Sequence, residues 1–132
     1  MEFAVPLERS FDAAYGMEYL GGDGDSIRGR VAVTDALRGP DGSVHSGIHF
    51  AIAESLASTG TALDVMPRGL VAAGLSNSTH VLAPARDGVL EAVARCRARG
   101  DLDWLWDVEI TDAEGTLVAA STVVIAVRPA RA

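Results

Sequence analysis

No lysine occurs in this 132-residue chain; all eleven basic residues are arginine, and the formal net charge is −7. That balance excludes the broadly basic surface on which nucleic-acid phosphates are bound. An anionic ligand would have to meet a local arginine cluster instead. The missing lysine fits a GC-rich coding bias as well as it fits a function. Cysteine is nearly absent too: the lone Cys96 rules out an internal disulfide framework and points to a reducing compartment. No apolar run approaches the roughly 20 residues that span a bilayer. The opening MEFAVPLERS has no basic flank before a long apolar core, so it does not read as a secretory signal. The chain is therefore expected to be cytoplasmic, with no nucleic-acid and no membrane partner. Repeats, low-complexity tracts and charged tails are also missing.

What is present is an ordinary globular composition, 48% apolar and 22% charged. The length suits one domain over residues 1–132, large enough to bury a core without a disulfide or a metal. Leu7, Phe11 and Ala14 at helical spacing predict a short helix over about Leu7–Tyr15. Met17–Leu20 and Ile27–Val33 flank Gly21-Gly22-Asp23-Gly24-Asp25 and predict a hairpin. The glycine-rich turn lacks the lysine and helix of a phosphate-binding loop.

After the loop Arg38–Ser43 comes one alanine-rich stretch, Ile48–Leu63, of strong helix formers. It is apolar round most of its circumference and predicts a core helix surrounded by protein. Asp64-Val65-Met66-Pro67 ends it. Leu70–Leu82, Gly88–Ala98, the strand holding Trp104, Trp106, Val108 and Ile110 on one face, and Thr116–Val127 predict a four-stranded antiparallel meander. The fold class is α+β: a hairpin, one long central helix and a curved antiparallel β-sheet wrapped around it.

Between Gly47 and Leu63 the only formally charged residue is Glu54, in the middle of the most apolar helix. A carboxylate there is retained when it is paired or used: either a catalytic group or a glutamate bonded across a subunit interface. Ser58, four residues on, shares its face and either assists it or is merely small. The helix begins near His45-Ser46-Gly47, whose free amides and dipole could receive a developing oxyanion. Ser46 and Glu54 are eight positions apart, roughly 12 Å along a helix axis. One substrate carbonyl cannot touch both within one chain. If the two cooperate, the site is shared by two subunits around a two-fold axis.

Other chemistries find no support. No serine sits in a G-x-S-x-G elbow. His45, His49 and His80 have no partners at metal-ligand spacing, so neither a metal nor another cofactor is expected. Cys96 reads as a structural thiol in an alternating strand. Arg95, Arg97 and Arg99 repeat every second residue on one strand face, where they either grip the phosphates of a nucleotide-bearing substrate or form a solvated face. Asn77 and His80 either line an acyl pocket or satisfy strand-end hydrogen bonds.

The run G-S-V-H-S-G-I-H-F-A-I-A-E-S-L-A-S, Gly42 to Ser58, resembles the core motif of hotdog-fold thioesterases. The branch is that of the phenylacetate-pathway (PaaI-like) and glutamate-type 4-hydroxybenzoyl-CoA enzymes, whose pattern reads G-x-x-H-G-G, six residues, then Asp or Glu. Asn77 to Gly100 and Trp106 to Ala119 are similar to the family's following strands. The resemblance implies hydrolysis of an acyl-CoA or acyl-carrier thioester, aromatic acyl groups among the candidates, in a homodimer paired into a tetramer. It makes Glu54 the catalytic carboxylate, Ser58 its assisting hydroxyl, and the backbone at His45, Ser46 and Gly47 the carbonyl site. Two departures stand out. Ser46 replaces the family's first glycine after the histidine, and Gly39 stands where the family often carries Asn or Gln. They support the alternative of a non-catalytic acyl-thioester-binding hotdog protein. A hydratase of this fold would need Asp five residues before a histidine, and none of the three has it.

Overall fold

The computed structural model describes residues 5–131. The reading of the first residues as free of an export signal falls partly on residues 1–4, outside that range. Helix α2, Ser46–Val65, runs through the middle of the molecule. It starts where His45 leaves helical dihedrals and its Nδ1 accepts the Gly47 N–H at 2.9 Å. Pro67, which has no N–H for the next helical bond, ends it in a tight turn, Met66–Arg68. Gly69 (φ 79°) then reverses the chain, a left-handed conformation that glycine takes without steric cost.

Six strands form one antiparallel sheet: β1 Glu18–Gly22, β2 Ser26–Ala32, β3 Leu70–Val81, β4 Val89–Arg99, β5 Asp103–Thr111 and β6 Leu117–Pro129. Their spatial order is β1-β2-β4-β5-β6-β3. The expected four-stranded meander is thus corrected: β4, β5 and β6 form one, whereas β3 pairs with β6 at the sheet's far edge. Short turns force neighbours to pair. The seven-residue stretch 82–88 between β3 and β4 does not, and it lets the chain cross the sheet. The hotdog arrangement itself, a sheet wrapped on one central helix, is as expected.

The core lies between α2 and the inner sheet face, where Ile52, Leu56 and Val65 meet Ile27, Val31, Leu90, Trp106, Val108, Ile110 and Ile125. Trp104, Trp106, Val108 and Ile110 do share the buried face of β5. Gly60 lets the sheet approach: a Cβ there would lie 2.6 Å from Trp106 Cη2. The Trp106 indole N–H donates to the buried Thr61 hydroxyl at 2.9 Å, so no polar atom is wasted in this contact.

Two further expectations are corrected. The N-terminal helix over Leu7–Tyr15 is instead a 3-10 turn, Leu7–Arg9, followed by a one-turn helix α1, Phe11–Ala14. Ser10 separates them, its hydroxyl donating back to Leu7 O and accepting the Ala13 N–H. Leu7 and Phe11 are exposed rather than in the core. Secondly, α2 is covered on only one flank. Tyr15, Tyr19 and Asp12 close that side, while Phe50, Glu54 and Ser58 lie along a strip that is partly or largely open in the protomer.

Candidate active site

A cleft of about 450 Å³ opens at the N-terminus of α2, lined by the loop 39–44, the first helical turn with His45, Ser46 and His49, and Val81–Ala85. Its walls are fastened to each other. Val44 N–H donates to Ala85 O at 2.7 Å. The Arg38 guanidinium reaches Gly42 O and Asp87 at 2.8 Å each, Asp35 at 3.0 Å, and Arg86 O. Arg38 is therefore a brace between the loop and the 82–88 connection. Asp41, on the rim, is held below the usual carboxylate range by the Ser43 hydroxyl and then the Ser43 amide.

At the helix start the two amides proposed for a carbonyl differ. The Gly47 N–H is already taken by His45 Nδ1, whereas the Ser46 N–H has no acceptor among the described residues. Opposite it Gly39 presents no side chain: a Cβ there would meet nothing closer than 3.8 Å. His49 is wholly buried in the inner wall, with neither ring nitrogen hydrogen-bonded. Burial holds its pKa below the ordinary 6.5, so the ring is neutral.

Glu54 lies two turns further on, at the junction of α2 and β3, half-buried and without a hydrogen-bonded or ionic partner among the described residues. Its carboxylate rests directly on β3: a Cβ at position 74 would be 1.8 Å from Glu54 Oε2, so only glycine leaves room for it. A bulge follows at once, between Gly74 and Ser76. Beyond the bulge the Asn77 amide donates to Phe50 O at 2.9 Å. That carbonyl is the one to which the Glu54 N–H is directed in the i→i−4 helical pattern. Asn77 is in turn held by Thr79, which bonds Ser121 at 2.7 Å. Asn77 thus clamps α2 to β3 beside Glu54. Ser58 is half-buried one turn beyond, on the same strip.

The remaining candidates lie elsewhere. His80 is on the outer face of the sheet with Ser78, Asp107 and Glu109, away from α2. Arg95 and Arg97 are on that outer face as well. Arg97 makes a two-pronged ion pair with Asp107, and Arg95 stands 3.9 Å from Glu109. Arg99 does not share their face, a correction caused by the bulge between Cys96 and Ala98, which inserts one residue and reverses the alternation. Its guanidinium instead covers the Trp104 ring at 4.7 Å and bonds Asp25. Arg38, Gly74 and His49 carry site geometry that sequence reasoning missed. Arg38 and Gly74 gave no signal, and His49 was weighed only as a metal ligand.

No protein-family model matches the chain. Among curated proteins it is 31% identical over 102 residues to the 1,4-dihydroxy-2-naphthoyl-CoA hydrolase of Listeria monocytogenes, covering 77% of this chain and 82% of that one. Among solved structures it is similar to AziG of S. sahachiroi (TM-score 0.86, 32% identity, 92% and 98% of the two chains). It is also similar to a mutant of the thioesterase PA1618 of Pseudomonas aeruginosa (TM-score 0.88, 26% identity, 93% and 88%). On the identity to this hydrolase and the shared fold of these structures, the chain belongs to the hotdog-fold thioesterases of the PaaI type, a family of thioester hydrolases.

Proposed function

We propose that the chain hydrolyses an acyl-CoA-type thioester in a site shared by two copies, with Glu54 of one and the partner's Ser46 amide acting on the same carbonyl. The observation that carries this reading is the placement of Glu54. Its carboxylate is unpartnered, seated over Gly74 and turned to an uncovered strip rather than into the core. The cleft at Ser46 lies roughly 12 Å away along the same helix. One protomer therefore holds two half-sites.

A two-fold pairing through β3 would bring unlike halves together. β3 is a twelve-residue edge strand whose outer side is unpaired among the described residues. Exposed Val71, Leu75, Val81 and Leu82 follow it, and Phe50 of α2 flanks it. A long apolar edge of this kind is a template for another strand. A single-domain chain, dimeric through β3 and paired again into a tetramer, follows from this reading; the free Cys96 thiol fits a reducing cytoplasm.

In the reaction the thioester carbonyl oxygen accepts the Ser46 N–H at the positive end of α2, which stabilises the charge that develops there. Glu54 either takes a proton from the attacking water or attacks the carbonyl itself, and in the second case water hydrolyses the resulting acyl–Glu54 anhydride after the thiolate has left, freeing the acid and restoring the carboxylate. The C–S bond then breaks and the thiolate leaves, to be protonated to free CoA thiol. Ser58, on the same strip one turn on, would hold the water or the carboxylate. The experiment is thiol release from a panel of short-chain, long-chain and aromatic acyl-CoAs by wild type and Glu54→Ala, with assembly checked by light scattering. Turnover lost in a folded, assembled variant supports the reading; equal turnover overturns it. Saturable binding without turnover in either protein favours the acyl-thioester-binding alternative.

No helix among the described residues is long and apolar enough to cross a membrane.

A further inference from the structure

His49 is an anomaly in the core. Its side chain is fully buried, yet both ring nitrogens lack a hydrogen-bond partner, a state that costs about 1–3 kcal/mol per unsatisfied group. It stands in the first turn of α2, and a helical side chain leans back toward the helix N-terminus, so it underpins the turn that carries Ser46. Both residues line the same cleft. We propose that His49 is a positioning residue for the carbonyl site: its neutral imidazole anchors the first turn of α2, and with it the Ser46 N–H, and protonation of the ring releases that turn.

The surroundings make a positive charge there doubly unfavourable. The helix dipole is positive at this end, and a buried cation without a partner is expensive. Among the described residues no acidic group offsets it. His45, one turn earlier, is itself basic and spends Nδ1 on Gly47. Asp41 of the loop is turned to Ser43. Arg86 bonds Asp41 O, and Asp87 is paired with Arg38. β6 has no charged residue from Leu117 to Val127, and β3 has only His80, on its outer face. Arg99 of β4 lies at the far end of α2, beside Asp64. Burial is accordingly the whole cause of the neutral ring.

The inference rests on the reading of this turn as the carbonyl site, but its main test needs no substrate. A ring that stays neutral when the turn is closed and titrates at 6.5 when it opens raises the opening equilibrium about tenfold between pH 7.5 and 5.5. Amide hydrogen exchange at residues 48–50, corrected for intrinsic rates, should show that rise in the native assembly of the wild type. It should change less than twofold in His49→Leu and His49→Gln. The acid limb of thioester hydrolysis, scaled to each protein's own plateau, should move to lower pH in both variants. The same pH dependence of exchange in all three proteins overturns the inference. Should the variants not fold, NMR titration of the His49 ring in the wild type decides: its protonation and the opening of residues 48–50 must share one midpoint, and separate midpoints overturn it. Tenfold exchange without thioester turnover would instead sink the functional reading alone.

Discussion

The two flanks of α2 belong to one helix and meet opposite fates. On the flank facing the N-terminal segment every polar group finds a partner. Asp12 accepts from Tyr15 at 3.0 Å, Tyr19 at 2.6 Å and Ser55 at 2.6 Å, and Thr59 donates to the Tyr19 oxygen at 3.1 Å. On the other flank Glu54 has no partner and rests on a glycine. The first is how a protein closes a surface; the second is how it keeps a charge available. A half-buried carboxylate left without a donor lowers no folding free energy, which is the feature that the proposed reaction uses.

Each flank can be broken separately. The largest effect is expected from Glu54→Gln, which keeps the shape and removes the charge: kcat should fall about a thousandfold, the usual scale for losing a general base, with the melting temperature held or raised. Steady-state thiol release and a thermal melt check both halves. Next, Gly74→Ala should cost about a hundredfold in kcat by pushing the carboxylate aside, since displacements near 1 Å have effects of that size. KM should move much less, and a loss in KM alone would refute the role given to Gly74.

On the closed flank the expected losses are of stability, not rate. Asp12→Ala removes the acceptor that Tyr15, Tyr19 and Ser55 share and should lower the unfolding free energy by about 1–3 kcal/mol in denaturant titration, with kcat unaffected. The same flank should respond to alkali. Burial, with Asp12 adding to it, holds Tyr15 and Tyr19 protonated well above their ordinary value of 10.0. Their folded-state pKa values are raised, so the stability they contribute is full below pH 10 and is lost as pH rises above it. Tyr15→Phe should flatten that alkaline slope. Tyr19→Phe, at a more exposed position, should have the smallest effect, about 0.5–1 kcal/mol.

Much of this was legible in the sequence because it is written in local pattern. The alanine-rich run marked α2, the alternation around Trp104–Ile110 marked a half-buried strand, and Glu54 stood out as the one charge in an apolar helix. The Ser46–Glu54 spacing was the ground for proposing two half-sites. Other features were not legible because they depend on which segments meet. Only strand order separates β3 from β4, and a single extra residue at Cys96–Ala98 turns Arg99 from the solvent face to the Trp104 ring.

The sequence by itself determined the central helix, the strands and where the lone carboxylate and the helix-start amides fall along them. These rest on periodicity, propensity and caps, which act within a few residues. Only the tertiary structure decided that β3 is an edge strand, that Gly74 receives Glu54, that Arg38 braces the cleft and that His49 is sealed without a partner. Those are contacts between residues distant in the chain, and their energies come from burial and exclusion of water, which no local pattern records.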